Sequence, residues 1–170
     1  AVQLGFGPAK EQRLRKPQAA RFTRAGVPFC RHLAEFKVTA DDEAKVGDTL
    51  GADVFEGVAY VDVAGVTKGR GFQGVVKRYR MAGGRMTHGG HSRRRVGAIG
   101  QCAYPARVAK GQRMPGHMGH VKVTTQNLKV VAVRSEDNVL LVRGAVPGAK
   151  GSIVTVRKAL KKGAAAGGKG

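Results

Sequence analysis

Val58-Ala-Tyr-Val-Asp-Val-Ala-Gly-Val66 is rich in β-branched residues, and Val61 and Val63 alternate around Asp62. Residues of this kind are enriched in strands, and their alternation is typical of a strand with one buried face. Further short runs of the same type lie on both sides and are separated by polar turns. The sequence therefore predicts a mainly β protein that folds as an antiparallel β-barrel.

The segments before this strand carry a weaker pattern. Residues 33–38 alternate apolar and polar side chains and predict a half-buried strand. Residues 46–55 predict two short strand pieces, and residues 41–44 predict a turn. Residues 10–24 are basic and contain Pro17, so a loop with one helical turn is expected there.

The strand pattern resumes after a long connection. Strands are predicted at residues 121–125, 128–133, 139–142 and 152–156, with turns at residues 135–138 and 147–151. Residues 71–79 predict a short helix, because four apolar residues recur there at helical spacing. The glycine-rich residues 163–170 are expected to form a disordered tail.

The connection between the two strand regions, residues 81–120, is rich in Gly, Arg and His, and its apolar residues follow no period. A connection of this length inside a compact domain is usually functional, or disordered on its own. We therefore divide the chain into a β-barrel domain with a basic N-terminal segment (1–80 and 121–160), an extended loop (81–120) and a flexible tail (161–170).

The charge of the chain is unevenly distributed. Its 170 residues include 31 Lys and Arg against 11 Asp and Glu, which gives a net charge of +20. From Val63 to Arg134 there is no acidic residue, whereas fifteen Lys and Arg lie in that stretch. Self-repulsion of this kind destabilises a compact state unless a polyanion relieves it. The distribution indicates a nucleic-acid partner and a loop that becomes ordered on binding it.

Other classes of protein fit the composition poorly. No run approaches the ~18 apolar residues of a membrane-spanning helix, and no basic stretch carries the apolar stripe of an interfacial helix. The chain starts without Met and without the regions of a signal peptide, so we expect a processed chain or part of a longer protein. Cys30 and Cys102 lack a disulfide-rich spacing, which indicates a reducing compartment and disfavours the alternative of a disulfide between them.

Three patterns suggest other chemistry. Gly69-Arg-Gly-Phe-Gln-Gly74 fits the dinucleotide pattern G-x-G-x-x-G, but no acidic residue follows at the spacing that would hold a ribose. Two His-x-x-His pairs, starting at His88 and His117, flank Cys102 and suggest zinc, yet their spacing is too wide and no carboxylate is near. Cys102 could act as a nucleophile, but the segment offers no acid to orient a histidine base. We expect no catalytic residue, metal or cofactor.

Folded RNA fits the basic loop better than DNA does. The sequence has no helix-turn-helix, zinc-finger or basic-zipper pattern, and the loop has no amphipathic helix for a major groove. A glycine-rich basic loop can mould to an irregular RNA, where shape and phosphate contacts dominate. The alternative without a partner is a basic surface exposed to solvent, but it leaves the repulsion among the like charges in place.

One set of residues forms a specific motif: Phe55, Asp62, Gly65, Thr67, Gly69, Arg70, Gly71, Gly74 and Arg78. These residues fit the signature of the third protein of the large ribosomal subunit, the universal L-three family in its bacterial type. Ser92, Ile99-Gly-Gln101, Pro105-Ala-Arg-Val108, Lys110-Gly111, Met114-Pro-Gly116 and Met118-Gly119 resemble the family's extension. Val123-Thr-Thr-Gln126 and Leu140-Leu-Val-Arg-Gly-Ala-Val-Pro-Gly148 resemble its returning strands.

The resemblance implies a translation-protein-like β-barrel at the subunit surface, with a long loop that reaches through large-subunit (23S-type) ribosomal RNA towards the peptidyl transferase centre. It implies a structural, non-catalytic role early in subunit assembly. The partners would be this RNA and neighbouring ribosomal proteins, with no membrane and no small-molecule substrate. The location would be the cytoplasmic large subunit, and an organellar ribosome stays open.

The resemblance also fixes details of the loop and the N-terminus. It places at the loop apex, near the peptidyl transferase centre, residues Met114, Pro115, Gly116, His117, Met118 and Gly119. Family members begin with further strands ahead of the position of Ala1. A histidine, His117, stands where some bacterial members have a methylated glutamine, so we do not carry that modification over.

Charge and resemblance together predict a set of RNA-binding residues: Lys68, Arg70, Lys77, Arg78, Arg80, Arg85, His88, His91, Arg93, Arg94, Arg95, Gln101, Arg107, Lys110, Arg113, His117, His120 and Lys122. The cations should neutralise phosphates, and the glycines between them should let the backbone approach RNA closely. The competing interpretation is a free-standing RNA chaperone or a nucleic-acid-compacting protein, which would bind any polyanion about equally.

Overall fold

A computed structural model describes residues 1–37 and 45–162. The predicted turn at 41–44, the end of the predicted strand at 33–38 and the predicted tail at 163–170 lie outside the described residues. The chain divides into two compact units, Ala1–Val54 and Phe55–Gly170.

Both units are built on strands. The strands are β1 (Val2–Pro8), β2 (Cys30–Phe36), β3 (Tyr60–Val66), β4 (Phe72–Gln73), β5 (Gly116–His117), β6 (Lys122–Arg134), β7 (Val139–Arg143) and β8 (Val154–Lys158). The α-helices are α1 (Lys16–Ala25) and α2 (Val75–Tyr79), and 3-10 turns lie at Glu11–Arg13 and Ala52–Phe55. Every strand pair among the described residues is antiparallel, so the predicted mainly β, antiparallel class is confirmed.

The first unit is a two-stranded ribbon, β1 against β2, with α1 in the connection between them. α1 has Pro17 in its first turn and is capped after Ala25 by Gly26, whose N–H donates to the carbonyls of Phe22 and Thr23. Gly26 has a φ of 66°, a left-handed conformation that suits glycine after a helix. The ring of Phe22, the one buried residue of α1, packs edge-on against Phe29 with 5.7 Å between ring centroids.

The sequence predicts this unit poorly. The loop with one helical turn expected at residues 10–24 is wrong, because α1 spans 10 residues there. A proline at its start and a glycine after its end suit a helix, but one large apolar residue gives no visible period. The strand pieces expected at residues 46–55 are also wrong, since Gly47 interrupts them and a 3-10 turn forms instead. β1 was not predicted, because Gly5 and Pro8 break its alternation.

The second unit is built on a four-stranded sheet in the order β7-β6-β3-β8. Val61 and Val63 of β3 pack with Leu128 of β6 in its buried core, as the alternation in the sequence predicts. The two strands predicted at residues 121–125 and 128–133 are one continuous strand, β6, which changes register against both of its neighbours.

Most other predictions for this unit agree with the structure. The strand at residues 139–142, the turn at 135–138 and the short helix within 71–79 are confirmed. The strand expected at residues 152–156 lies slightly later, at β8. In the part of the chain that the structure describes, β7 and β8 end the sheet and do not pair with each other, so closure into a barrel stays a prediction.

Asp62 lies at a bulge where β3 shifts register against β6. Its side chain is buried, with 1% exposure. Asp62 Oδ1 accepts a hydrogen bond from the Asn127 N–H at 2.9 Å, and Oδ2 accepts one from the Leu160 N–H at 3.4 Å. Nε of Arg157, on β8, lies 3.7 Å from the same Oδ2. This acidic residue of the signature therefore joins three parts of the sheet.

Candidate nucleic-acid interface

Residues 67–73, which follow β3, run beside residues 116–121, which precede β6, and we name this paired region the loop base. The Arg70 N–H donates to the Met118 carbonyl, and the Met118 N–H donates to the Gly71 carbonyl, each at 2.9 Å. The short strands β4 and β5 continue the pairing. The loop base is thus held by backbone hydrogen bonds between segments far apart in sequence.

The predicted loop of residues 81–120 overlaps this base at its end, so from here on we name residues 81–115 the loop. These residues leave and rejoin the sheet through the loop base. The loop contains no helix or strand, and none of its residues is buried. Within the loop, all of whose residues are described, three backbone N–H groups donate to loop carbonyls. They belong to Gly84, Gly90 and Gln112, and their acceptors are Arg93, Thr87 and Ala109. A folded domain carries about one hydrogen bond per residue, so the loop has little internal support.

The predicted RNA-binding side chains lie on the loop, the loop base, α2 and the start of β6, and all of them except Arg78 are exposed. Within residues 1–37 and 45–162 the one ion pair joins Arg157 to Asp62. No described carboxylate therefore neutralises the cations of the loop. Unpaired like charges on a segment without a core favour a polyanionic partner.

Arg78, on α2, has a different position. Its Nη1 donates to the Met114 carbonyl at 2.8 Å, and its guanidinium carbon lies 5.0 Å from the centre of the Tyr79 ring. A Cβ added at Gly116 would fall 2.5 Å from the same Nη1, so the guanidinium rests directly against the glycine backbone. Arg78 ties α2 to the loop base, and a contact of Arg78 with RNA stays a prediction.

Exchanging Arg78 for Lys should loosen the loop base. An ammonium can keep the hydrogen bond to the Met114 carbonyl, but it lacks the broad guanidinium that reaches both the Tyr79 ring and the Gly116 backbone. We expect amide exchange at Gly116 and Met118 to accelerate about fivefold to thirtyfold, which corresponds to ~1–2 kcal/mol of local stability. Arg80→Lys, at the exposed end of α2, is the matched control, and equal exchange in the two variants would contradict this role of Arg78.

The residues predicted at the loop apex, 114–119, overlap the loop base, and the prediction itself is not tested by this pairing. Gly116 and His117 form β5 and pair with β4, and Met118 bonds to the backbone of Arg70 and Gly71. The C-terminal part of segment 114–119 is therefore held by backbone hydrogen bonds to residues 70–73. Its nearness to the peptidyl transferase centre stays a prediction.

Gly119 is the residue of this segment whose role the sequence did not indicate. It has a φ of 77°, and an added Cβ would overlap the Lys68 carbonyl and lie 3.0 Å from the Arg70 nitrogen. Only glycine combines this conformation with so close an approach. Neither the backbone angle nor the opposing strand can be read from the order of residues, so no sequence signal was available.

The other sites suggested by the sequence do not assemble in the described residues. No group of three or more His, Cys, Asp or Glu side chains is placed to hold a metal ion within residues 1–37 and 45–162. Cys30 and Cys102 both carry free thiols. Over the same ranges, no helix has the length and apolar character needed to cross a membrane.

An exposed, acid-free cationic loop on an antiparallel β scaffold is typical of a protein that binds folded RNA. The chain belongs to the ribosomal protein L3 family, since the model of that family matches residues 31–139. This confirms the resemblance seen in the signature residues and favours a structural ribosomal protein over an enzyme.

Several curated relatives match almost the whole chain. The large ribosomal subunit protein uL3 of Brachyspira hyodysenteriae is 48% identical over 162 residues, which cover 95% of this chain and 75% of the relative. The protein of the same name from Bifidobacterium longum is 49% identical over 162 residues, covering 95% of this chain and 76% of the relative. The chain thus spans about three quarters of the length of these relatives.

Proposed function

We propose that this protein is a structural constituent of the large ribosomal subunit and binds large-subunit ribosomal RNA through the loop and the loop base. The observation that carries the proposal is the loop itself. It presents exposed cations with no described carboxylate beside them, and it has almost no hydrogen bonds of its own. The names of the relatives support the same assignment.

The chemistry of the loop suits RNA of irregular shape. Arg93, Arg94 and Arg95 are consecutive and exposed, so they can reach phosphates on different sides of the segment. Tyr104 is 91% exposed, and an exposed aromatic ring on a cationic loop can stack on an unpaired base. RNA would supply both the counter-charge and the hydrogen bonds that the free loop lacks.

The destination of the loop rests on the family resemblance. We infer that the loop approaches the peptidyl transferase centre, and that residues 114–119 influence this centre indirectly. We infer also that the protein acts early in subunit assembly and contacts neighbouring ribosomal proteins. The fixed loop base supports such a role, because it sets the direction in which the loop leaves the sheet.

The test is binding to large-subunit ribosomal RNA against excess transfer RNA over a salt series. The wild-type chain should keep its preference for the ribosomal RNA at high salt. The variant with Arg93, Arg94 and Arg95 all changed to Gln should lose most of that preference, and its salt dependence should become shallower by roughly three in log–log slope, about one per phosphate contact.

The matched control changes Lys129, Arg134 and Arg143 to Gln, which removes the same charge from exposed positions on β6 and β7. This control should retain the preference. A wild-type preference that vanishes with salt would favour the free-standing chaperone or compacting protein. Equal losses in the two triple variants would show that total charge rather than the loop determines selectivity.

A further inference from the structure

α1 in the first unit carries a concentration of charge that the loop does not explain. At about 100° per residue, Lys16, Arg21 and Arg24 fall within an arc of roughly 140° on the helix. The centre of that arc lies opposite Phe22, the buried residue of α1. α1 is therefore two-sided, with an aromatic ring packed inward and three cations outward, and we name these three residues the α1 ridge.

The exposure of the side chains agrees with this geometry. Phe22 has 8% exposure and packs against Phe29, whereas Lys16, Arg21 and Arg24 are all exposed. No carboxylate among residues 1–37 and 45–162 forms an ion pair with any of the three. One face of α1 packs into the interior of the unit through Phe22. No described carboxylate neutralises the cations on the opposite face.

The charge around the ridge has the same sign. Within residues 1–37 the cations are Lys10, Arg13, Arg15, Lys16, Arg21, Arg24, Arg31 and Lys37, against Glu11 and Glu35. Gln3 Nε2 lies 3.5 Å from Glu35 Oε1, on the ribbon. Repulsion among the cations is relieved only by an anionic partner or by salt.

We propose that the α1 ridge is a second RNA contact, separate from the loop, which binds phosphates on the outside of a double-helical RNA segment. The identity of the RNA rests on the proposed function, whereas the contact itself rests on α1. The exposed face of α1 has no aromatic residue that could stack on a base, and the major groove of an RNA duplex is too narrow for a helix. The ridge therefore contacts the backbone and reads no sequence.

The experiment uses the full chain with Lys16, Arg21 and Arg24 changed to Gln, which preserves helix propensity. Binding to large-subunit ribosomal RNA and to a short RNA duplex is measured over a salt series. The log–log slope should become shallower by about two to three, and affinity for the duplex at moderate salt should fall roughly 10–100-fold. Preference for ribosomal RNA over transfer RNA should not change, because both RNAs contain double-helical segments, and loss of a contact to duplex phosphates weakens both alike.

Two controls separate the effect of lost charge from the effects of altered side-chain shape and of an unfolded α1. The variant Arg21→Lys with Arg24→Lys keeps the charge, so it should keep the slope; a loss as large as with Gln would overturn the phosphate contact. Circular dichroism reports whether α1 remains folded. A folded Gln variant whose slope matches that of the wild-type chain would overturn the proposal. Absence of any wild-type preference for ribosomal RNA would overturn the proposed function. The change in slope would still show whether the α1 ridge contacts phosphates.

Discussion

Changing Asp62 to Ala should lower the free energy of unfolding of the second unit by about 3 kcal/mol. The buried carboxylate accepts backbone N–H groups from Asn127 and Leu160. Alanine leaves the Asn127 donor at the β-bulge and the Leu160 donor just after β8 without their acceptor. A buried donor that loses its partner costs about 1–3 kcal/mol, so two such donors account for the expected loss.

Arg157 contributes less to this effect. Its side chain is 50% exposed, so its charge can return to water when the carboxylate is removed. Asp62→Asn should therefore be milder than Asp62→Ala, at about 1–2 kcal/mol, because one oxygen remains to accept the Asn127 N–H. The order of stability expected in urea unfolding is wild type, then Asn, then Ala.

The control is Glu136→Ala, in the exposed turn between β6 and β7. It also removes one carboxylate from a strongly basic protein, so it reports the effect of net charge alone. We expect its stability to lie within about 0.5 kcal/mol of wild type. If Asp62→Ala and Glu136→Ala unfold at the same urea concentration, the buried hydrogen bonds of Asp62 do not stabilise the sheet.

The sheet was predictable where one face of a strand is buried against the core. Alternation around Asp62 revealed β3, and the apolar runs at 128–133 and 139–142 revealed β6 and β7. The role of Asp62 was not predictable, because an aspartate inside a strand indicates a solvent-facing position unless the backbone donors that oppose it are known. Those donors, on Asn127 and Leu160, come from distant parts of the chain.

The candidate interface, like the sheet, was predictable only in part. The exposure of the loop cations followed from the sequence, because a stretch without acids has no partners with which to bury charge. Arg78 was grouped with them, yet it lies half-buried at the loop base. Pairing of residues 67–73 with 116–121 closes a long connection, and neither segment has a pattern that specifies the other. α1 was missed because Phe22, its one buried residue, gives no visible apolar period.

The second large effect is expected for Gly119→Ala, which should open the loop base. Gly119 has a φ of 77°, where an alanine is strained by about 1–2 kcal/mol even in open space. The added Cβ would also overlap the Lys68 carbonyl and lie 3.1 Å from the Gly69 Cα. Because these atoms belong to the backbone, neither can rotate away, and the two segments of the base must separate.

Gly111→Ala isolates the strain from the overlap. Gly111 has a φ of 82°, close to that of Gly119, but nothing lies within 4 Å of the Cβ that alanine would add. Both variants carry the same conformational strain, so the difference between them measures the contact with the opposing backbone. We expect the Gly119 variant to cost about 2 kcal/mol more than the Gly111 variant, as is usual for overpacking.

Amide exchange at Arg70 and Met118 gives the direct measurement, because these two N–H groups bond across the base. Both should exchange about thirtyfold faster in Gly119→Ala than in Gly111→Ala, the ratio that corresponds to ~2 kcal/mol. The same variant should lose selectivity for large-subunit ribosomal RNA, since an open base no longer sets the direction of the loop. Faster exchange with unchanged selectivity would mean that RNA itself closes the base, and that the free protein need not hold the loop in place. Unchanged exchange would contradict the prediction, because the two segments cannot separate while these bonds persist.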